Sequence, residues 1–165
     1  MDTKKSLAIT LIGYLADYPQ YLPTVAGWVF DEWGWEMPGS TLESILAEFS
    51  LHLNRDRIPF TMLALVDAQP VGTASLFLHD MDIRMDLTPW LAAVYVLPEF
   101  RGQGIGSQLV RAIEGVATRL QLERLYLFTP DQAAFYARLG WSVLETAEYR
   151  GHSNVIMTKS LLEVA

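Results

Sequence analysis

The feature that most constrains the fold is a strand that passes through a glycine-rich turn into an amphipathic helix. The apolar run Leu91-Ala92-Ala93-Val94-Tyr95-Val96-Leu97 predicts the strand, and the turn Arg101-Gly102-Gln103-Gly104-Ile105-Gly106 follows it. The helix that comes next has one apolar face, formed by Ile105, Leu109, Ile113, Val116 and Leu120. Glycines let backbone amides approach a ligand closely, and the helix N-terminus and Arg101 add positive charge. We therefore predict an anion site here, suited to a phosphate or pyrophosphate.

The glycine spacing separates this turn from two well-known phosphate-binding motifs. The three glycines form G-x-G-x-G, whereas the dinucleotide fingerprint requires G-x-G-x-x-G. The P-loop requires Gly-Lys-Ser/Thr, which is missing here. At the level of local sequence, a structural turn without a ligand remains an alternative.

The rest of the chain predicts one α+β domain over residues 1–165, with a mixed sheet. Strands are expected at 6–12, 61–66, 71–77, 91–97, 124–128, 141–149 and 154–159, and helices at 21–33, 42–49, 105–120 and 131–139. Ser40 or Thr41 is expected to cap the second helix, and Gly140 to end the last one. The segments 67–70 and 150–153 are expected to be hairpin turns, with His152 at the tip of the second.

Charge and composition exclude several classes of function. Acidic residues exceed basic ones by seven, which disfavours nucleic acid as a partner and favours a cationic one. The same charge could serve solubility alone. The longest apolar stretches are strand-sized, so no membrane association is expected, and without a cleavage-like signal we expect a cytoplasmic protein. The absence of cysteine excludes disulfides, thiolate metal sites and a cysteine nucleophile.

Two ordered motifs together carry a family resemblance. Arg101, Gly104 and Gly106 match the form Arg/Gln-x-x-Gly-x-Gly/Ala after a strand, and the strand leads in through Pro98. About thirty residues later, Phe135-Tyr136-Ala137-Arg138-Leu139-Gly140-Trp141 matches Tyr-x-x-x-Gly-aromatic. On these motifs the chain resembles the GCN5-related N-acetyltransferases (GNAT), across essentially its whole length. The resemblance implies a mostly antiparallel mixed sheet flanked by helices, with a splayed parallel pair at Leu91–Leu97 and Arg124–Phe128.

The resemblance also implies acetyl-CoA as co-substrate, with no metal. Its pantetheine arm would pair with backbone groups of the first splayed strand, and its pyrophosphate would bind amides of the glycine turn. A family asparagine after the second splayed strand falls on a threonine here. The implied cofactor-binding residues are Val94, Val96, Arg101, Gly102, Gln103, Gly104, Ile105, Gly106, Ser107 and Thr129.

Tyr136 is the candidate general acid. Attack of an amine on the thioester expels a thiolate, and a tyrosine, with an ordinary pKa of about 10, is protonated at neutral pH and can return a proton to sulfur. Without a cysteine to carry the acyl group, transfer would occur directly in a ternary complex. The alternative is that Tyr136 is only a packed aromatic residue beside Phe135 and Leu139.

The general base is less clearly marked, because the strand Leu91–Leu97 contains no carboxylate. His79, Asp80 and Asp82 lie just before that strand, and Glu32 lies in the region that walls the acceptor site in such enzymes. His79, Asp82 and Glu32 are the candidates carried forward, and deprotonation through ordered water stays open.

The acceptor side is marked by tryptophans beside carboxylates. These residues are Trp28, Trp33, Trp35, Asp31, Glu32 and Glu36. They would suit an ammonium group through cation–π contacts and ion pairs, although Trp28 and Phe30 could equally be core residues. The expected function is acetyl transfer to a small-molecule or peptide amine. A CoA-binding sensor without turnover, transfer of a longer acyl group, and a homodimer remain open.

Overall fold

Seven strands form one mixed sheet in the computed structural model, which describes residues 10–162. The strands are β1 (Thr10–Tyr14), β2 (Phe60–Val66), β3 (Gln69–Phe77), β4 (Trp90–Val96), β5 (Arg124–Thr129), β6 (Ser142–Tyr149) and β7 (His152–Ser160). They lie in the order β1-β2-β3-β4-β5-β7-β6, and only β4 and β5 run parallel among the paired strands described. The predicted α+β fold with a mostly antiparallel sheet is confirmed. Residues 6–9 of the first predicted strand lie outside the described residues.

Two hairpin turns are tighter than the sequence suggested. Asp67 and Ala68 link β2 to β3, and Arg150 and Gly151 link β6 to β7, with positive φ at all four residues. Positive φ at both central residues matches a two-residue type I′ turn, which follows the twist of the strands. The prediction that His152 lies at a hairpin tip is therefore wrong, because His152 already pairs with Tyr149 in the ladder.

Within residues 10–162, four α-helices flank the sheet. They are α1 (Leu22–Trp33), α2 (Leu42–Ser50), α3 (Ile105–Arg119) and α4 (Ala133–Arg138). Thr41 caps α2: its hydroxyl accepts from the Ser44 N–H at 3.0 Å, and the Ser44 hydroxyl accepts from the Thr41 N–H at 2.9 Å. Helix α4 is shorter than predicted and spans six residues. None of the described helices is long and apolar enough to cross a membrane.

The core lies on both faces of the sheet, with β2 buried along its whole length. Met62 and Ala64 pack in the cluster formed with α3, whereas Leu63 and Leu65 pack in the cluster formed with α1 and α2. Alternation along a strand sends successive side chains to opposite faces, so β2 joins the two layers. Tyr136 of α4 belongs to the α3 side of the core.

The parallel pair β4–β5 is joined at one end and open at the other. Its one registered residue pair in the described chain is Trp90 with Tyr126, and the Tyr126 N–H donates to Pro89 at 3.0 Å. On the other edge of β4 the pairing with β3 shifts register, with Ala93 at a φ of 53° in the bulge. The bulge bends β4, and the two strands diverge after their first contact. The predicted splayed pair is confirmed.

Candidate active site

A cavity of about 1140 Å³ opens where β4 and β5 diverge. Its lining runs from the glycine turn before α3, along both splayed strands, to the β6–β7 hairpin. Helices α1 and α2 supply the wall on the far side of the sheet, including Glu32, Trp33 and Glu48. One continuous space therefore joins the predicted anion site to the predicted acceptor region.

The glycine turn has the backbone geometry of an anion cradle. Gly102 and Gly104 have φ values of 76° and 83°, in the left-handed region that favours glycine. Helix α3 begins at Ile105, and none of the described side chains caps it. The first helical bond runs from the Gln108 N–H to the Gly104 carbonyl at 3.1 Å, so the N–H groups of the preceding turn have no helical acceptor. These donors and the helix dipole favour a phosphate group.

Arg101 is held against β4 beside this turn. Its Nε donates to the Val96 carbonyl at 2.8 Å, and its guanidinium carbon lies 5.5 Å from the centre of the Tyr95 ring. The side chain is exposed. Two contacts therefore fix the guanidinium group at the edge of the cavity, where its remaining N–H groups can meet an anion.

The cavity brings together most of the residues implied as cofactor-binding. Those in its lining are Val94, Val96, Arg101, Gly102, Gly104, Ile105, Gly106, Ser107 and Thr129. Gln103 is exposed and is not among the lining residues. Its side chain therefore does not contribute to the cavity wall, although its backbone belongs to the same turn.

Thr129 begins the segment that carries α4. The Thr129 hydroxyl accepts from the Gln132 N–H at 2.9 Å and from the Asp131 N–H at 3.4 Å. The residue is 5 % exposed and ends β5. Its acceptor capacity is used by the chain itself, so the hydroxyl organises the β5–α4 turn at the cavity wall.

Tyr136 lines the cavity while most of its ring is buried. The ring lies 4.9 Å from Phe135 and 6.2 Å from Trp141 between centroids, both edge to face. Burial raises the pKa of Tyr136 above its ordinary range, so the phenol stays protonated. Among the described residues its hydroxyl has no hydrogen-bond partner, and no fully buried side-chain oxygen or nitrogen is left unpaired. The hydroxyl therefore remains accessible from the cavity.

Two of the three predicted base candidates line the cavity. His79 and Glu32 line the cavity, whereas Asp82 is exposed and lies outside its lining. The neighbouring Asp80, weighed in the sequence but not carried forward, lines the cavity as well. Burial raises the pKa of Asp80 to about 7, Arg150 opposes this rise, and Glu48 adds to it. Burial also raises the pKa of Glu48.

Two of the three tryptophans of the acceptor region line the cavity, and the third packs behind it. Trp28 packs against Tyr95 at 5.6 Å between ring centroids and is not among the lining residues, and neither is Asp31. Trp33, Trp35, Glu32 and Glu36 line the cavity. Trp35 is 69 % exposed, so much of its indole is open to solvent.

His152 closes the acceptor end from the opposite side of the cavity. Its ring meets Trp35 edge to face at 5.8 Å, and its Nε2 lies 3.9 Å from Glu36 Oε1. The two-residue β6–β7 turn places His152 opposite Tyr149 in the strand ladder. Within the described residues, no group of three or more carboxylates and histidines could hold a metal ion.

Comparison with known proteins identifies the family. The model of the acetyltransferase (GNAT) family matches residues 20–141, which include the glycine turn, both splayed strands and Tyr136. The chain belongs to this acetyltransferase family. This match confirms the family resemblance carried by the two sequence motifs. It also confirms the prediction of an enzyme of the acetyltransferase class.

Known GNAT proteins share the fold at low sequence identity. The mouse protein N-alpha-acetyltransferase 80 is 25% identical over 148 residues, which are 87% of this chain and 45% of that protein. This chain thus spans less than half the length of that curated relative. The crystal structure of an aminoglycoside 6'-acetyltransferase type Ii superposes with a TM-score of 0.73 at 18% identity, covering 94% of this chain and 99% of the other. The Salmonella typhimurium yncA protein, solved with its cofactor acetyl-CoA, has a TM-score of 0.70 at 17% identity, covering 94% and 96%.

Proposed function

We propose that this GNAT protein transfers the acetyl group of acetyl-CoA to a primary amine on a cationic acceptor, by direct attack in a ternary complex. The observation that carries the proposal is the single cavity in which an anion cradle, a strand gap, a protonated tyrosine and a carboxylate-lined end follow one another. The order of these features matches the order of the groups that must meet: pyrophosphate, pantetheine arm, thioester and amine.

The donor would lie along the splayed strands. The amides from Arg101 to Ser107 would hold the pyrophosphate, with charge supplied by Arg101 and the start of α3. Because the Leu97 N–H bonds to Val71 of β3, the backbone groups of the preceding Val96 point to the other edge, into the gap. The Val96 carbonyl already accepts from Arg101, so its N–H is the group left for the cofactor. A pantetheine amide can pair there as an added strand would. Acetyl-CoA is also the cofactor in the yncA structure.

From a protonated primary amine, two protons must leave the nitrogen, one before attack and one as the amide forms, and one proton must reach the sulfur. The neutral amine attacks the thioester carbonyl carbon, a C–N bond forms, and the C–S bond breaks to release CoA. Asp80 takes the ammonium proton, because a carboxylate with a pKa near 7 is both ionised and basic enough to do so at neutral pH. Tyr136 gives its proton to the sulfur as the C–S bond breaks, and the second nitrogen proton returns through solvent to the tyrosinate. The raised pKa of Tyr136 keeps the phenol protonated at neutral pH. Because the phenol is also a weaker acid than a thiol, the proton moves while charge builds on the departing sulfur.

The acceptor end favours a positive charge beyond the reacting nitrogen. Four carboxylate residues line it, against the cationic Arg150: they are Glu32, Glu36, Glu48 and Asp80. The exposed indole of Trp35 adds a surface on which an ammonium group can bind. The names of two relatives point to amine acceptors as well, an aminoglycoside in one and an α-amino group in the other. These observations support a polar, cationic amine as acceptor.

The proposal is tested by measuring thiol release from acetyl-CoA across a panel of amines, with binding of acetyl-CoA followed separately by calorimetry. The panel pairs each diamine with the monoamine of the same length, so that added charge is the only change. Thiol release with cationic amines and weak activity with the monoamines is the expected result. Binding without thiol release for any amine would indicate a CoA-binding module instead. Faster turnover with a longer acyl-CoA would assign a different donor.

A further inference from the structure

A half-buried ion pair lies behind the helix that carries Tyr136. Glu114 of α3 accepts from the Lys159 ammonium of β7 at 2.6 Å, and the two side chains are 12% and 19% exposed. The other carboxylate oxygen of Glu114 accepts from the Trp141 indole N–H at 3.3 Å. Lys159 also donates to the Leu139 carbonyl at 2.7 Å. The three side chains therefore form one network, which we call the Glu114 network: Glu114, Lys159 and Trp141.

The network holds the end of α4. Helix α4 has six residues and no side-chain cap at its start, and a helix that short has little stability of its own. Leu139 and Trp141 follow it directly, and their N–H groups both donate to the Tyr136 carbonyl, at 2.9 and 3.1 Å. Lys159 binds the carbonyl of one of these residues, and Glu114 binds the indole of the other.

Trp141 connects the network to the tyrosine ring itself. The indole is 3% exposed and meets the Tyr136 ring edge to face. The hydroxyl of Tyr136 has no hydrogen-bond partner among the described residues, so ring packing and the turn after α4 determine where it points. A shift of the indole would move the ring that leans on it.

We infer that Glu114 and Lys159 are positioning residues, which fix the Tyr136 hydroxyl at the thioester through Trp141 and the turn after α4. This inference rests on the proposed role of Tyr136 as general acid. The charges of Glu114 and Lys159 matter because both side chains are largely buried. Removing one charge leaves the other buried without its counterion. Neither residue lines the cavity, so an effect on turnover would have to pass through α4.

The test compares Glu114→Gln and Lys159→Met with Arg111→Gln, which removes an exposed charge from the same helix. We expect the two network variants to lower kcat about tenfold with little change in KM for acetyl-CoA, because a misplaced catalytic group slows the chemical step. Arg111→Gln should behave as wild type. Lys159→Arg, which restores the cation, should recover part of the rate.

A double-mutant cycle separates positioning from general damage. If Glu114 acts through Tyr136, then Glu114→Gln should cause no further loss in a Tyr136→Phe background. An equal loss in both backgrounds would overturn the inference. A slowed Tyr136→Phe with an unchanged Glu114→Gln would overturn the positioning role alone, whereas an unchanged Tyr136→Phe would remove the acid role and the positioning role together.

A spectroscopic readout does not depend on activity. The Trp141 indole N–H signal, assigned through Trp141→Phe, should shift in the NMR spectrum of Glu114→Gln and stay in place in Arg111→Gln. An unmoved Trp141 signal in a folded Glu114→Gln protein would show that the carboxylate does not hold the indole, and would overturn the inference even if the rate falls.

Discussion

The ring of Tyr136 meets the ring of Trp141 edge to face, with 6.2 Å between their centroids and 66° between their planes. This contact, with that of Phe135 on the other side, holds the aromatic body of the tyrosine in the core. The hydroxyl is left as the part that faces the cavity. Packing and chemistry are therefore assigned to different ends of one side chain, which makes them separable by mutation.

Tyr136→Phe should preserve the packing and remove the acid. The ring contacts remain, so we expect the melting temperature and the affinity for acetyl-CoA to stay close to wild type. Without the hydroxyl the thiolate leaves without a proton donor, and kcat should fall about a hundredfold. Steady-state kinetics and calorimetry measure the two effects. Full turnover in the variant would mean that solvent protonates the sulfur.

Asp80→Asn should abolish the acid limb of the pH–rate profile. With a pKa of about 7, Asp80 is protonated below that pH and cannot accept the ammonium proton, so kcat/KM should rise with pH through about 7 in the wild type. The variant should be slower and should lack this rise. Asp82→Asn, two residues away and outside the cavity lining, is the control and should keep the wild-type profile. A rise that survives in Asp80→Asn would transfer the base role to another group, with His79 and Glu32 as the remaining cavity candidates.

Gly104→Ala should weaken acetyl-CoA binding more than it weakens the fold. Gly104 and Gly39 both have a φ of 83°, and a Cβ added to either meets nothing within 4 Å. The backbone strain of an alanine, about 1 kcal/mol, should therefore be alike at both positions. Calorimetry should show lost affinity in Gly104→Ala only, while the two melting temperatures fall by similar amounts. Equal affinity in both variants would argue against the glycine turn as the phosphate site.

His52 should make the protein less stable in mild acid. Burial lowers the pKa of His52 from 6.5 to about 4, and the residue is 3% exposed between Phe49 and Phe77. Between these two pH values the unfolded chain binds a proton that the folded chain does not. The free energy of unfolding should therefore fall as the pH drops from 6.5 to 4, by up to about 3 kcal/mol from this group.

His52→Gln removes this titration and can still bond to Thr61, whose hydroxyl lies 3.3 Å from the histidine ring. Urea unfolding at pH 7 and pH 4.5 should show a smaller acid loss in the variant. Asp80 acts with the opposite sign, since its raised pKa makes stability fall as the pH rises towards 7. This contribution cancels when the variant is compared with the wild type. Parallel pH dependence in both proteins would contradict the assignment.

The sequence was sufficient for the parts of the site that are continuous in the chain. The strand, glycine turn and helix from β4 to α3 depend on local patterning and backbone conformation, and the structure has them where the pattern predicts. Tyr136 could be identified from the sequence for the same reason, because it lies in a motif with fixed spacing. The cap of α2 was also predicted, as Ser40 or Thr41, because a hydroxyl before an amphipathic run has a local role, and Thr41 is the residue that fills it.

The remaining features depend on contacts between distant segments. The pKa of Asp80 is set by burial and by Glu48 and Arg150, which come from α2 and the β6–β7 turn. No spacing rule connects Glu114 to Lys159, 45 positions apart. The place of His152 depended on a two-residue turn at Arg150, a non-glycine residue at a φ of 50°. Such a conformation is uncommon outside glycine and is hard to expect from residue type.

The divergence of β4 and β5 creates a conflict between the stability of this protein and its activity. Past Trp90 and Tyr126 the two strands leave backbone groups that a closed sheet would pair, so the fold forgoes hydrogen bonds at its centre. Substitutions that remove the Ala93 bulge and let β4 and β5 pair along their length should raise the melting temperature and close the cavity. Selection for thermal stability alone would then favour inactive variants, and a search for stabilised forms of this enzyme should leave these two strands unchanged.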